Sequence, residues 1–241
     1  MKSAHAPLKC GEPIKVPMLQ ELQIWPDAPV AMTDAKWGEL LNSEGNMSQF
    51  GLDGMLSAGN LTLWARSNPV RCVKRGSSRL ILNRSSLVPL KEWDPEKHQP
   101  MAPDGSVGTL FFPTDYSALQ DAQRKSFFLA AWLRALGAIG ADSTPDNFPN
   151  GIFDPICISV PLRNISPRHG IRAVGRLDAN GRAAITFFKT HKHGGDEFVI
   201  FEQEMGPTVT DWLSFGRLLK LRNGAAVIDA PYADSIQLFD V

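Results

Sequence analysis

The stretch at residues 171–189, IRAVGRLDANGRAAITFFK, carries the strongest local signal in the chain. Two β-like runs, Ile171–Asp178 and Arg182–Lys189, flank Ala179-Asn180-Gly181. Asn-Gly between two such runs marks a β-hairpin, because both residues accept the positive φ that a tight hairpin turn needs. A two-residue turn at Asn180-Gly181 pairs Arg172 with Lys189, Val174 with Phe187 and Arg176 with Ile185. Side chains alternate along a strand, so these six residues are expected on one face. Ile171, Ala173, Leu177, Ala184 and Phe188 then take the other face and suit a core. On this reading Arg172 and Arg176 stand about 13 Å apart, at ~3.3 Å per residue. They surround an exposed Phe187 together with Lys189.

Outward from the hairpin, the C-terminal third reads as β-rich. Strands are expected at Ile156–Leu162, Glu197–Glu202, Ala225–Asp229 and Ser235–Phe239. A helix is expected over Asp211–Arg222, capped by Thr210, with Gly224 just past its end. Upstream, the clearest helix runs from about Ala118 to Ala138. Leu119, Ala122, Phe127, Trp132, Leu133 and Leu136 give it a broad apolar face, and Asp115 is its expected cap. Earlier elements are a strand over Met18–Trp25, a helix after Thr33 carrying Trp37, Leu40 and Leu41, and a short helix over Phe50–Ala58. The runs Leu61–Ala65, Val70–Val73, Arg79–Leu82 and Val107–Phe112 read as strands, with a surface loop at 93–106. Strands and helices come in runs, which is the α+β pattern. The expected architecture is a mainly antiparallel sheet with a central long helix and a C-terminal helix. The chain is read as one domain over residues 1–241, with a candidate sub-boundary at 142–155.

Composition narrows the function classes. The 241 residues contain 25 basic and 25 acidic side chains and are 43% hydrophobic. This balance excludes a histone-like tail or an acidic disordered solvator as a description of the whole chain. No run approaches the ~18 apolar residues of a membrane helix, and no secretory signal is read. Cys10, Cys72 and Cys157 are three in number and widely spaced, so reduced thiols and a cytoplasmic location are expected.

The charge is unevenly distributed. Arg66, Arg71, Lys74, Arg75, Arg79, Arg84 and Lys91 fall between residues 64 and 91 without one carboxylate. Arg163, Arg168, Arg172, Arg176, Arg182, Lys189 and Lys192 fall between 155 and 193, opposed only by Asp178. Arginine predominates, which suits bidentate contact with phosphate. Basic groups around an aromatic on a sheet can hold a single strand, with phosphates on the cations and a base on the ring. The expected binding set is therefore Arg66, Arg71, Lys74, Arg75, Arg79, Arg84, Arg168, Arg172, Arg176, Phe187, Lys189 and Lys192. RNA or another single-stranded nucleic acid is the expected ligand, with other protein subunits as partners. No catalytic residue, metal or cofactor is expected.

The segment Phe50-Gly51-Leu52-Asp53-Gly54-Met55-Leu56-Ser57-Ala58, preceded by the strand from Met18, is similar to the first strand and helix start of RAMP-type subunits of CRISPR effector complexes. That resemblance spans about forty residues. It implies a ferredoxin-like α+β fold that binds guide RNA through a basic sheet face. The glycine-rich C-terminal loop of many members is missing, which implies binding rather than RNA processing.

Two alternatives use other residues. Gly194-Gly195-Asp196-Glu197-Phe198 spells the signature pentapeptide of diguanylate cyclases, but the upstream metal-binding aspartate and its following signature are lacking. His191 and His193, with Asp196 and Glu197, define the reading as a nucleotide- or metal-dependent enzyme. The other alternative is a scaffold component of a phage or secretion system.

Overall fold

A computed structural model describes residues 18–25, 49–72, 78–88, 101–104, 107–113, 116–145, 151–190, 197–206, 208–228 and 236–240. The fold is α+β. Its first part is a sheet of β1 (Glu21–Trp25), β2 (Arg79–Val88), β3 (Met101–Asp104) and β4 (Val107–Pro113). The strand order is β1-β2-β4-β3. β1, β2 and β4 pair in parallel, and only β3 is antiparallel. The other described ladders are antiparallel, so the expected mainly antiparallel architecture holds and this parallel trio is its exception. The connection from β1 to β2 contains α1 (Gln49–Ser67), so the two strands form a βαβ unit. They lie side by side, whereas a ferredoxin-like sheet splits its βαβ unit with an intervening strand.

α1 is twice the length expected from sequence. Leu61–Ala65 lies inside it rather than in a strand. This run is apolar with no clear period, and such a run does not distinguish a buried helix from a strand. Here the helix is buried on more than one side. Phe50, Ala58, Leu61 and Ala65 join a first core with Leu19, Leu80, Leu82 and Leu110. Leu56 joins a second core with Ile156, Leu177, Ile185 and Trp212. α2 (Asp121–Ala138) closes the first core through Phe128, Trp132 and Leu136, all buried. It begins after Gln120, whose side chain and that of Gln123 form a capping box, rather than after Asp115.

The second part is an antiparallel meander, β5 (Ile156–Val160), β6 (Ile171–Leu177), β7 (Ala183–Thr190) and β8 (Glu197–Glu204), in that order. α3 (Val209–Leu218) packs on its inner face. Thr208, not Thr210, caps this helix by accepting the Asp211 amide. The helix stops at Leu218, and Leu219–Arg222 is a strand, β9. β9 pairs with β10 (Ala225–Ile228), which pairs with β11 (Ile236–Asp240). Asn223 and Gly224, with φ of 50° and 84°, are the two-residue turn between β9 and β10. The Asn-Gly hairpin signal was therefore correct in kind, and its tightest instance lies here. Cys72 is buried and Cys157 exposed. The expected helix after Thr33 lies outside the described residues.

The two parts share α1, and Phe153 packs against both cores. In the second core Trp212 is fully buried against β6. A Cβ at Gly175 would stand 2.6 Å from the Trp212 ring. A stiff indole cannot give way as a flexible side-chain end can. Gly175→Ala is therefore expected to lower stability by about 1–3 kcal/mol in urea unfolding. Gly137→Ala in α2, where a Cβ meets nothing within 4 Å, is the control and is expected not to destabilise.

Candidate functional site

The hairpin of β6 and β7 is one residue out of the register read from sequence. Arg172 pairs with Phe188, Val174 with Thr186, and Arg176 with Ala184. The cause is Asp178. Its carboxylate accepts the amides of Asn180 at 2.8 Å and Arg182 at 2.9 Å. The Gly181 amide closes a turn onto the Asp178 carbonyl at 3.1 Å, and Gly181 has φ of 85°. This is a three-residue loop, a turn followed by a left-handed glycine, rather than a two-residue turn. A slip of one residue exchanges the faces of a strand. Phe187 therefore enters the core, fully buried among Phe201, Phe215 and Phe239. It cannot stack on a base, and the expectation for Phe187 is corrected. β6 keeps its predicted faces, so Arg172 and Arg176 do face outward.

Phe188 takes the outward place. The Arg172 guanidinium carbon lies 4.1 Å from the Phe188 ring centroid. Arg172 also reaches Glu197 on β8, with Nε 2.6 Å from Oε1 and a second bond from its terminal nitrogen to Oε2. The pairing lowers the Glu197 pKa and raises that of Arg172. Val199, opposite Phe188 in register, is 56% exposed, and the adjoining Phe198 is 41% exposed. Further along, Arg176 donates to the Thr186 hydroxyl at 3.0 Å, and that hydroxyl donates to Glu202 at 2.9 Å. Arg182 meets Glu202 at 2.8 Å and Glu204 at 3.4 Å. The outward arginines are thus interleaved with glutamates of β8.

The other expected residues are dispersed. Lys189 is half-buried and pairs with Ile171 and Phe198. Arg168 is exposed on a 3-10 turn at Pro167–His169, which Ser166 caps. Arg71 is exposed, and its backbone amide donates to Asp142 at 2.7 Å. Arg66, in the last turn of α1, donates to the Thr210 hydroxyl at 3.3 Å. Arg79 contacts Glu21 at 2.9 Å. Arg84 lies on β2. Lys74, Arg75, Lys192, His191, His193 and Asp196 lie outside the described residues. Among the described residues no group of three metal-ligating side chains converges. No helix among them is long and apolar enough to cross a membrane.

Sequence reasoning missed the glutamates as partners of the arginines, and it missed Glu21 and Arg217. The alternation of Glu202 and Glu204 along β8, opposite a basic hairpin, was the available signal for cross-strand charge pairing. No protein-family model, curated protein or solved structure matches the chain.

The Arg172–Glu197 pair has a pH signature. A carboxylate whose pKa falls on folding adds stability above its unfolded value and loses it as pH drops through its folded value. The Glu197 carboxylate should titrate below the ordinary glutamate range by NMR. In Arg172→Gln its midpoint should return upward to that range.

Proposed function

We propose that this protein is a non-catalytic, cytoplasmic subunit of a larger assembly that binds RNA or another single-stranded nucleic acid. The observation that carries the reading is Arg172 held over Phe188 on the outward face of the β5–β8 sheet. A guanidinium backed by a ring offers a plane for base stacking and edges that donate to phosphate. Arg176 lies on the same face, four residues along β6. Val199, opposite Phe188 in register, adds exposed apolar surface beside them. The similarity of Phe50–Ala58 to RAMP-type subunits makes a CRISPR effector complex the assembly first considered.

A phosphate on this face competes with Glu197 for Arg172. Binding is then weaker than the arginine content suggests, and strongly salt-dependent. A second reading follows from the same glutamates. Arg172, Arg176 and Arg182 balance Glu197, Glu202 and Glu204, and an alternating balanced surface suits a protein partner.

Glu197→Gln separates the two. Under the nucleic-acid reading it frees Arg172, and affinity for a fluorescent single-stranded RNA should rise about 3–10-fold near 50 mM salt, with the gain fading at high salt. Arg172→Gln/Arg176→Gln should weaken binding and reduce the logarithmic salt slope by roughly 1.4, at ~0.7 per lost contact. Unchanged RNA affinity in both variants, measured by anisotropy, would reject this face as a nucleic-acid surface.

A further inference from the structure

The connection from β5 to β6 presents basic side chains on a fixed backbone. Ile165 anchors it in the second core, and the Ile165 amide donates to the Leu162 carbonyl at 3.3 Å. Around that anchor Arg163, Asn164, Arg168 and His169 are exposed. Both ends of the 3-10 turn at Pro167–His169 are held. Ser166 caps its start, and Gly170, at φ of 63°, closes it with its amide on the Pro167 carbonyl. Glycine takes that left-handed position without a Cβ penalty. A backbone pinned in this way leaves only side-chain freedom to be lost when an arginine on it binds a ligand.

Two sets of contacts place this connection between the Arg172–Phe188 pair and the end of α3. On one side the Thr190 amide donates to the Gly170 carbonyl at 2.9 Å. Arg172 lies two residues after Gly170 and Phe188 two residues before Thr190, so the pair stands about 7 Å along each strand from that bond. On the other side the Asn164 side chain donates to the Arg217 carbonyl at 2.6 Å, and Asn164 forms a parallel bridge with Lys220 on β9. Arg217 is exposed in the last turn of α3. Bonded contacts therefore run from the Phe188 strand through the 3-10 turn to the foot of α3. No acidic residue occurs from 161 to 177 or from 212 to 228. Among the described residues no carboxylate lies within ion-pair distance of Arg163, Arg168 or Arg217, whereas Arg172 and Arg182 are each answered by a glutamate of β8.

We propose that Arg163, Arg168 and Arg217 form the track along which the sugar–phosphate backbone of a bound single strand leaves the Arg172–Phe188 platform. This rests on the nucleic-acid reading of that platform and names what lies beyond it. Proteins that hold single strands combine aromatic stacking with cations that follow the backbone. On the platform the ring is available, but the charge of Arg172 is shared with Glu197. On the turn and at the foot of α3 the charge is uncompensated, and no ring is exposed. The two halves of single-strand recognition thus lie next to each other on one end of the β5–β8 sheet. Arginine, with its planar paired donors, fits the phosphate oxygens that such a track meets.

The test measures anisotropy of labelled single-stranded RNAs of about 4 and about 16 nucleotides, the span over which single-strand binders engage their ligands. The full-length protein is compared with Arg163→Gln/Arg168→Gln/Arg217→Gln, whose Tm should match wild type because no ion pair among the described residues uses these side chains. For the long strand the triple variant should bind roughly 10-fold more weakly near 50 mM salt, with a logarithmic salt slope lower by roughly 2, at ~0.7 per lost contact. For the short strand, which the platform alone accommodates, it should bind as wild type does. Arg71→Gln/Lys125→Gln, which removes charge from the first part of the fold, should leave both affinities unchanged. An equal loss per charge in that control rejects the track. Wild-type affinity of the triple variant for both strands, while Arg172→Gln/Arg176→Gln still weakens binding, rejects the track and keeps the platform. Weakening in the triple variant alone rejects the platform and keeps the three arginines as a nucleic-acid contact. Failure of wild-type protein to bind either strand rejects both. Displacement of the long strand by polyglutamate as readily as by unlabelled RNA of equal charge assigns the surface to an acidic protein and overturns the proposal.

Discussion

One helix must satisfy two cores. α1 gives Phe50, Ala58, Leu61 and Ala65 to the first and Leu56 to the second, and its partly buried Leu52, Met55 and Leu63 also turn toward the second. Burial on several sides explains why its sequence lacks a clean amphipathic stripe. It also explains why polar residues on this helix must find partners inside the protein. Ser57 accepts the Trp132 indole at 3.1 Å, and Thr62 bonds both the amide and the carbonyl of Leu22. Asp53 is the costliest case. It is 2% exposed, and dehydration raises its pKa, against the Tyr116 hydroxyl at 2.8 Å, the Gln49 amide at 2.7 Å and Arg124 at 3.3 Å. Raised on folding, this carboxyl contributes stability at low pH that is lost as pH climbs through its folded value. The hydrogen bonds from Gln49 and from Tyr116 on the 3-10 turn, with the charge of Arg124 on α2, reduce that loss and tie α1 to α2.

Much of the architecture was legible because it depends on local chemistry. The central helix over Asp121–Ala138 announces itself by apolar spacing, and the hairpin by its turn residues. The errors arose where two local signals overlap. At 178–181 the sequence Asp-Ala-Asn-Gly contains both a two-residue Asn-Gly turn and a longer turn headed by an aspartate. The Asp178 carboxylate captures two amides and decides for the longer one. At 223–224 no such aspartate precedes Asn-Gly, and the tight turn forms. The parallel pairing of β1, β2 and β4 was not legible for another reason. It depends on α1 crossing between β1 and β2, and so on contacts far apart in sequence.

The register error has a functional consequence larger than its size. One residue of slip removes Phe187 from the surface and delivers Phe188 in its place. The aromatic–arginine pairing expected from sequence therefore survives with a different ring. β6 held its faces because Ala173, Gly175 and Leu177 must meet Trp212 and its neighbours; only the partner strand shifted. Gly175 contributes as much as the apolar residues do, because any side chain there would enter the space of the indole.

Clustering of charge along a chain is a poor guide to charge in space. The segment at 155–193 looks basic in sequence, yet β8 follows it directly in the sheet and lays Glu197, Glu202 and Glu204 against its arginines. Arg66 shows the same rule at longer range. No carboxylate lies near it in sequence, yet the fold brings the Thr210 hydroxyl of α3 to its guanidinium at 3.3 Å and sets Glu21 within electrostatic reach. A hairpin arginine is answered by the next strand and a helix-end arginine by an element 144 positions away, so in both cases it is the tertiary neighbour and not the sequence neighbour that decides what a cation can offer a ligand.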